Sequence, residues 1–449
     1  MPLPVFTGPF GPAQAERLLW RAGFGPRRGE ELRLARKGLD GAVSWLTNPP
    51  AKDRLVGWHP VDGKGYRLSP TDKFGHDHLW WLDRMVRTSR PLVERMTLVW
   101  HDWFATSNDM VGSQRLMIRQ NLLFRKIGLG SFPGLAMRVT VNPAMLVYLN
   151  GLNSPKEAPN ENYGRELMEL FTLGAGSGYS ERDVREQARA LTGWTAAYKN
   201  GVGWVRFRYK QEHHDDAMKV VFGKAGPWNW KQAVRLCIQH PAHPSFFVKK
   251  LWSYFVPVPP DEATQAALEQ LYRESGYQIR PVVAAILHHP LLYEGPRMAK
   301  PPVVYTAGLL RSLGDRIATE DWVWLDIMAG QLLFYPPNVS GWNDGRWLDT
   351  STFRARWQLA GRALRKHAVH PERTKGVDVP RDPEKLVNRA LEFWGSPPIS
   401  DETRAALLAF AGKVMAAAVA DDYRQKAFPV MALNGLRHLI AASPEMQTA

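Results

Sequence analysis

The chain has 449 residues, and its 58 Lys and Arg residues outnumber its 43 Asp and Glu residues, which gives a formal charge of +15. This charge favours an acidic partner, such as a charged glycan, a phosphorylated compound or a membrane surface. Because the basic residues are spread along the chain and form no basic tail or helix, the sequence argues against nucleic-acid binding. The single cysteine, Cys237, excludes a disulfide framework and a thiolate metal cluster.

The apolar pattern and the N-terminus indicate the compartment. No run of about 18 apolar residues occurs, so no transmembrane segment is predicted. Residues 1–6 lack the charged and apolar regions of a signal peptide. The sequence as given therefore predicts a cytoplasmic protein.

Helical periodicity is found along most of the chain. Before the central segment it predicts helices at 13–24, 29–46, 73–89, 91–105, 113–127, 132–141 and from 143 onward. A capping-box pattern at Ser180 starts a further helix that ends near 192. Beyond Trp228 the pattern predicts helices at 229–239, 244–256, 262–275, 281–288, 302–313, 322–333, 352–367, 383–394, 401–419 and 421–442.

One stretch departs from the helical pattern. Residues 204–210 alternate apolar and basic side chains behind the turn dipeptide Asn200-Gly201, which predicts a β-hairpin at about 194–210. The predicted fold class is therefore all-α, a large single helical domain with one small β-hairpin. We predict a main domain over residues 1–372 and a C-terminal helical segment, residues 373–449, packed on the same core.

The central segment, residues 160–174, places several charges beside an apolar helical face. On a helix, Glu166 and Glu169 form a stripe directly next to the stripe of Leu167 and Leu170. A solvated helix would instead place its glutamates opposite its leucines. Carboxylates at the border of a core have shifted pKa values, which is the condition for acid–base catalysis or for holding a hard cation.

Two interpretations of this segment stay open. In the functional one, Glu161, Glu166 and Glu169 act as general acids or bases, and Arg165 binds an anionic group of the substrate. In the structural one, Arg165 pairs with Glu161 or Glu169 one helical turn away, which contributes only about a few tenths of a kcal/mol.

A second candidate, His101, lies in the sequence Trp-His-Asp-Trp-Phe at 100–104, near the end of a predicted helix. It falls off the apolar stripe of this helix, while Arg95 and Asp102 share another face, seven residues apart. We interpret His101 either as a general acid, base or metal ligand between aromatic rings, or as a residue that complements the dipole at the helix C-terminus.

The regions on either side of the hairpin supply further polar candidates. Arg189 precedes the hairpin on the polar face of a helix and is a candidate for binding an anion. His214 and Asp215 follow the hairpin, where a His–Asp pair suits a divalent metal, and Lys219 is close behind. A polar surface turn explains the same residues.

Tryptophan is abundant, with 18 residues, and most of these rings are expected in the core. The long loop at 336–347 contains Trp342 beside Asn343 and Asp344, an arrangement that suits a sugar platform. Rings that pin an irregular loop onto the core explain it equally well. Trp194 and Trp342 are the candidate walls of a binding site.

Longer motifs connect these candidates along the chain. They include Leu-Leu-Trp-Arg-Ala-Gly-Phe-Gly at 18–25, Asn-Pro-Ala-Met-Leu-Val-Tyr-Leu at 142–149, Lys-Lys-Leu-Trp at 249–252 and Pro-Pro-Asn-Val-Ser-Gly-Trp at 336–342, together with segments 100–104, 159–174, 188–194 and 443–447. In combination they closely resemble the bacterial family catalogued as domain of unknown function 1800. The resemblance covers nearly the whole chain.

The resemblance implies a single helical unit and brings no established activity. It also implies export through a twin-arginine type leader and a sulfatase-like partner protein encoded nearby, although this chain starts almost directly at the first motif. Some members have His where this chain has Phe171, so a metal site that uses this position would be incomplete here.

We therefore predict an enzyme that carries out hydrolysis or group transfer on an anionic or glycan-type substrate. The candidate catalytic residues are His101, Glu161, Glu166 and Glu169. The candidate substrate-binding residues are Arg165, Arg189, Trp194, Lys219 and Trp342. The candidate ligands of a divalent metal, the one cofactor considered, are His214 and Asp215. The alternative is a non-catalytic binding or assembly protein that recognises an acidic polymer or a partner protein, in which the same charges form a rigid buried network.

Overall fold

A computed structural model describes residues 3–152, 154–373, 379–417 and 422–449. In these ranges 23 α-helices are joined by loops, and the strands are confined to two small antiparallel sheets. The predicted all-α class with a small hairpin is confirmed. The predicted helix ends at 419 and 421 lie outside the described residues, and the division at 372/373 stays a prediction.

Ten helices lie in the first part of the chain. They are α1 Pro12–Arg21, α2 Glu30–Ala35, α3 Gly38–Thr47, α4 His76–Arg87, α5 Pro91–Trp103, α6 Asn108–Val111, α7 Gln114–Ile127, α8 Phe132–Thr140, α9 Pro143–Tyr148 and α10 Glu161–Glu166. Serine side chains cap two of them, because Ser113 and Ser131 accept hydrogen bonds from backbone amides in the first turns of α7 and α8.

The segment predicted as one helix over 29–46 forms two helices. The chain turns at Gly38, whose φ of 66° lies in the left-handed region. Only glycine adopts this conformation without a steric cost, and a right-handed helix cannot continue through it. The helical period alone does not reveal this break.

The central segment is helical as predicted, but its second half is not a regular α-helix. α10 passes without a break into a π-helical segment, Leu167–Thr172. The hydroxyl of Thr172 donates a hydrogen bond of 2.5 Å to the carbonyl of Leu167, five residues earlier. A π-helical turn changes the direction of the side chains that follow it, and such turns are frequently found at functional sites.

Two antiparallel strand pairs follow α11, which spans Glu181–Ala190. The predicted hairpin consists of β1 Trp194–Lys199 and β2 Gly203–Tyr209, with an irregularity in register between Thr195 and Ala197. A second pair, β3 Lys219–Val221 and β4 Lys224–Gly226, is not predicted. Strands of three residues are too short to show an alternating pattern.

The rest of the chain is helical. The helices are α12 Trp230–Ile238, α13 His243–Ser253, α14 Glu262–Glu274, α15 Ile279–His288, α16 Pro290–Tyr293, α17 Pro302–Leu313, α18 Asp321–Met328, α19 Thr350–Leu364, α20 Pro383–Phe393, α21 Asp401–Ala417, α22 Asp422–Ala442 and α23 Pro444–Gln447. Within the described ranges, no helix combines the length and the apolar content needed to cross a membrane.

Two hydrophobic clusters form the interior. The first is built around the rings of Trp100, Trp103 and Phe132. The second contains Trp81 and apolar residues of α17, α19 and the C-terminal helices α20 to α22. α5 contributes to both clusters, since Trp100 and Trp103 belong to the first and Leu98 to the second. α5 therefore lies between the two cores, and its polar side chains are surrounded by packed elements.

Candidate functional site

His101 is part of the interior. Only 1% of its surface is exposed, and its ring packs against Trp81, Phe334 and Trp342 with centroid distances of 5.3, 5.6 and 5.4 Å. The Nε2 atom accepts a hydrogen bond of 3.2 Å from the backbone amide of Phe334, which places the ring proton on Nδ1. Burial lowers the pKa of His101 to about 3. The imidazole is therefore a neutral hydrogen-bond acceptor near neutral pH.

The next residue, Asp102, occupies a polar position at the end of α5. Its Oδ2 accepts a hydrogen bond of 2.7 Å from the hydroxyl of Tyr254, and its Oδ1 accepts one of 2.8 Å from the backbone amide of Trp342. Gly341 makes this approach feasible, because a Cβ there would lie 2.2 Å from Oδ1 and its φ is 92°. Asp102 thus fixes the loop at 336–347 to α5 and α13.

Lys250 of α13 interacts electrostatically with this carboxylate. Its ammonium group donates a hydrogen bond of 2.8 Å to the carbonyl of Leu170 in the π-helical segment. The same group lies 4.7 Å from the ring centroid of Trp103, within the range of a cation–π interaction. Burial lowers the pKa of Lys250 to about 8, and the negative charge of Asp102 opposes this shift only in part.

Burial also displaces the pKa values of Asp102 and of Tyr254, its hydrogen-bond donor. It raises the pKa of Asp102, although the hydrogen bonds from Tyr254 and the Trp342 amide oppose the change. Burial and the charge of Asp102 together raise the pKa of Tyr254 well above 10, so this hydroxyl stays protonated and acts as a donor. Asp102 and Lys250 interact electrostatically, but neither belongs to an ion pair in the described residues.

Arg95 completes the group. It is only 4% exposed, and its Nε and Nη1 atoms are buried with no hydrogen-bond partner in the described part of the chain. Burial lowers its pKa to about 10, which still leaves the guanidinium charged near neutral pH. The charge of Arg95 interacts electrostatically with Tyr254, the residue that donates a hydrogen bond to Asp102. Arg95 and Asp102 therefore lie on the same side of α5. We call Arg95, Asp102, Lys250 and Tyr254 the Asp102 cluster.

Four segments distant in sequence supply or fix this cluster: α5, the π-helical segment, α13 and the loop at 336–347. It brings together a carboxylate and an amine whose pKa values are both displaced by burial, a hydroxyl donor and an unpaired guanidinium. Groups of this kind can transfer protons and bind an anion. Sequence reasoning singles out the adjacent His101 and places Arg95 and Asp102 on one face, but it misses Lys250 and Tyr254. The sequence signal that could have identified Lys250 is the Lys-Lys-Leu-Trp motif at 249–252.

The central glutamates divide into two kinds. Glu161 is part of a surface pair, in which Arg165 lies 3.3 Å from Glu161 and binds both oxygens of Glu181 at 2.7 Å. Glu166 and Glu169 are half-buried and form no hydrogen bond or ion pair in the described residues. Burial, and secondarily the charge of Glu169, raises the pKa of Glu166. Glu169 directly precedes Leu170, whose carbonyl accepts a hydrogen bond from Lys250, but neither carboxylate bonds to the Asp102 cluster in the described residues.

Arg189 lies in a separate group of charges. It binds Asp215 through Nε and Nη2 at 2.6 and 3.3 Å, and Glu186 through Nη1 at 2.9 and 3.0 Å. The buried ammonium of Lys219 donates hydrogen bonds to the carbonyls of Asp215 and Ala217. We call Glu186, Arg189, Asp215 and Lys219 the Arg189 network. Its charged groups are paired with one another, as in a structural network.

His214 is buried next to this network. Its Nδ1 lies 3.2 Å from the carbonyl of Thr192 and 3.1 Å from the hydroxyl of the same residue. Burial, followed by the charge of Lys219, lowers the pKa of His214. The carboxylate of Asp215 is already bound by Arg189, so a metal would have to compete with that ion pair. A divalent metal at His214 and Asp215 stays a prediction.

The described residues contain one group of three close potential metal ligands, and it lies elsewhere. Atoms of Asp62, His76 and Glu320 lie within 4.8 Å of one another. The Nδ1 atom of His76 accepts a hydrogen bond from the Ser69 amide at 2.9 Å, so the neutral ring carries its proton on Nε2, the atom that faces the carboxylates. Lys73 already contacts Glu320 at 3.1 Å. The proton on Nε2 of His76 and the pairing of Glu320 with Lys73 therefore make this group unsuitable for binding a metal ion.

The two candidate tryptophans lie in different surroundings. Trp194 packs against Tyr209 and Trp230, at 5.5 and 5.8 Å, and its indole nitrogen is buried without a hydrogen-bond partner. Trp342 is half-buried and packs against His101. No hydrogen bond, ion pair or ring contact among the described residues joins His101, Glu166 and His214 to one another. The structure thus brings His101 and Trp342 together, and separately Arg189, Asp215 and Lys219, whereas no such contact joins either group to the central glutamates in the described residues.

Comparisons with known proteins agree with the motif analysis. The profile of the family described as "Protein of unknown function (DUF1800)" matches residues 17–448. No curated protein and no solved structure shows significant similarity to the chain. Because the match extends over nearly the whole sequence, including every segment of the Asp102 cluster, the chain belongs to the DUF1800 family.

Proposed function

We propose that the chain is an enzyme that carries out hydrolysis or group transfer on an anionic or glycan-type substrate, with the Asp102 cluster as its acid–base centre. The observation that carries the proposal is the placement of Asp102 and Lys250. These two half-buried groups have opposite charges, burial displaces the pKa values of both, and they interact electrostatically near the π-helical segment, α13 and the loop at 336–347.

The pKa of Lys250 supports a role in proton transfer. With a value of about 8, a substantial fraction of the side chain is a neutral amine in a mildly alkaline medium. A neutral amine is a base or a nucleophile, whereas an ordinary surface lysine is almost fully protonated at this pH. Asp102 accepts hydrogen bonds through both carboxylate oxygens, and its negative charge favours the protonated form of this amine. Glu166 and Glu169, the other predicted catalytic carboxylates, make no hydrogen bond or ion pair with this cluster in the described residues.

The unpaired donors of Arg95 support an anionic substrate. A guanidinium presents its N–H groups in a planar fork that matches the oxygens of carboxylate, phosphate or sulfate. Nε and Nη1 of Arg95 have no acceptor in the described residues. Binding of a substrate oxygen would satisfy them, and the formal charge of +15 attracts such substrates to the protein.

The test is a panel of para-nitrophenyl phosphate, sulfate, acetate and glycosides, assayed with the wild type and with Asp102→Asn and Lys250→Met. We expect both variants to lower kcat/KM roughly a hundredfold or more on the compound that is turned over. Lys249→Met is the matched control, because Lys249 is exposed and forms no ion pair with any described residue. Equal rates in all four proteins, or no turnover by the folded wild type, would contradict the proposal.

A second candidate is a non-catalytic binding or assembly protein that recognises an acidic polymer or a partner protein. The ion pairs of Arg165 and Arg189 favour it, because charges saturated within the chain are typical of a structural network. The family resemblance suggests a sulfatase-like protein as the partner. Co-expression with such a protein encoded beside this one, followed by size-exclusion chromatography, tests this role, and a stable complex without turnover would favour it.

A further inference from the structure

A separate basic cleft lies on the other side of α5. It has a volume of about 590 Å³ and is formed by the end of α7, the start of α8, the segment after α3 and the start of α5. Five basic side chains line it, and in the described residues no carboxylate does. They are Arg90, Arg125, Lys126, Arg138 and Arg280. We call this the cationic cleft.

Arg125 places a fixed guanidinium in the wall of the cleft. Its Nε and Nη2 bind the two oxygens of Glu94 at 2.6 and 2.9 Å, and its side chain is only 7% exposed. Glu94 is itself held by Arg84 at 3.2 Å. Nη1 points away from Glu94 and is buried without a partner in the described residues. Because solvent does not reach this atom, Arg125 contributes its positive charge to the wall of the cleft and not an exposed donor.

The other cations of the cleft have little counter-charge. Arg90 donates to the carbonyl of Ala51 at 3.1 Å, but its Nε makes no hydrogen bond and lies 3.9 Å from Asp53. Lys126 and Arg138 are exposed and form no ion pair in the described part of the chain. Their positive charges therefore add together at the cleft with little internal neutralisation.

Helical geometry separates the cleft from the Asp102 cluster. Val93 and Met96 of α5 line the cleft. Asp102 follows Val93 by nine residues, which at about 100° per residue places it on the opposite side of the helix. The cationic cleft is therefore a second site, and its function does not depend on the acid–base chemistry proposed for the Asp102 cluster.

We propose that the cationic cleft binds an organic anion that carries at least two phosphate or sulfate groups. A single phosphate or sulfate ion could not contact five cations distributed over a cleft of about 590 Å³. Arginine forks match the oxygens of phosphate and sulfate, and the volume is in the range of small-molecule sites. Apolar side chains also line the cleft and suit the carbon skeleton of such a ligand. They include Val93, Met96, Phe124, Ile127 and Leu135.

Calorimetric titration with inorganic pyrophosphate and with sucrose octasulfate at low ionic strength tests this proposal. We expect one saturable site with a micromolar Kd for at least one of the two probes. The double variant Arg138→Gln/Arg280→Gln should weaken binding roughly tenfold or more, because each arginine contributes a charge-assisted hydrogen bond. Both side chains are exposed, so the variant is expected to fold.

The matched control is Arg235→Gln/Arg354→Gln, which removes the same charge from two exposed arginines outside the cleft. It should change Kd by less than about twofold, because screening limits the reach of distant surface charges. Absence of saturable binding of both probes, or equal weakening in the two double variants, would overturn the proposal. Preference for one probe distinguishes a phosphorylated from a sulfated ligand. The assay requires no turnover, so a negative binding result would not contradict the enzymatic function proposed for the Asp102 cluster.

Discussion

The Arg189 network and the Asp102 cluster are both groups of charges packed among helices, yet they differ in how the charges are balanced. Arg189 has a carboxylate on each side, at 2.6 Å from Asp215 and 2.9 Å from Glu186. Arg95 is more deeply buried and has no hydrogen-bond partner for two of its nitrogens in the described residues. Lys250 has a backbone carbonyl as its only hydrogen-bond acceptor there.

This difference separates structural charges from functional ones. A paired network lowers the energy of the folded chain relative to a chain with one partner removed. Buried charges without partners reduce stability, and proteins retain them mainly where a ligand or a reaction uses them. The candidates chosen from sequence pattern divide along this line. Arg165, Arg189 and Asp215 are paired, whereas Glu166, Glu169 and the Asp102 cluster keep unpaired groups.

The largest expected effect concerns the pH dependence of stability at Lys250. Its pKa is lowered from 10.5 to about 8, so the unfolded state binds the proton more tightly than the folded state between these values. The free energy of unfolding should therefore increase as pH rises from about 8 to 10.5, and this increase should disappear as pH falls through the same range. The change is on the order of 3 kcal/mol. The difference in free energy of unfolding between the wild type and Lys250→Met, measured by urea titration across this range, isolates it.

Lys249→Met serves as the control, since Lys249 is an exposed lysine directly beside Lys250 in the sequence. If the wild type and Lys250→Met changed in parallel with pH, Lys250 would not be a perturbed group. The proton-transfer role proposed for it would then lose its support.

Breaking the Arg189 network should reduce stability. Arg189→Met leaves the carboxylates of Asp215 and Glu186 partly buried without their cation, and it also removes four hydrogen-bond contacts to these two residues. We expect the free energy of unfolding to fall by about 2 kcal/mol, less than for a fully buried pair because solvent reaches the site. Urea denaturation of the variant measures this. An unchanged midpoint would mean that the network is dispensable for the fold.

Local sequence patterns predict most of the fold. α5 is predicted over 91–105 and spans Pro91–Trp103, and the hairpin predicted over 194–210 spans Trp194–Tyr209. The break at Gly38 and the second strand pair are missed, because one residue in an unusual conformation or three residues of strand leave no periodic signal. The π-helical segment is hidden for the same reason, since its side chains still follow an amphipathic pattern.

The site is less accessible to sequence reasoning because its contacts are long-range. Asp102 and Tyr254 are 152 residues apart, and Asp102 and Trp342 are 240 apart. Periodicity places Arg95 and Asp102 on one helical face, but it cannot show which elements pack against that face. His101 attracts attention as a titratable residue between aromatic rings, and the same rings bury it and keep it neutral.

The smallest expected effect on stability, with the opposite sign, concerns Arg95. Arg95→Met removes a buried guanidinium that lacks partners for Nε and Nη1 and replaces it with an apolar side chain of suitable length. We expect the free energy of unfolding to rise by about 1 kcal/mol, since the desolvation cost of the charge is removed and little bonding is lost. Urea denaturation beside Arg189→Met measures the contrast between two arginines that undergo the same substitution.

Activity supplies the second measurement on Arg95→Met. If Arg95 binds the anionic group of a substrate, the variant should be more stable and yet have a higher KM on whichever compound the panel identifies, a trade-off typical of functional sites. A loss of stability comparable to that of Arg189→Met would instead show that Arg95 holds the fold together. In that case unpaired hydrogen-bond donors would not distinguish the Asp102 cluster from the Arg189 network, and the functional assignment would depend on Lys250 alone.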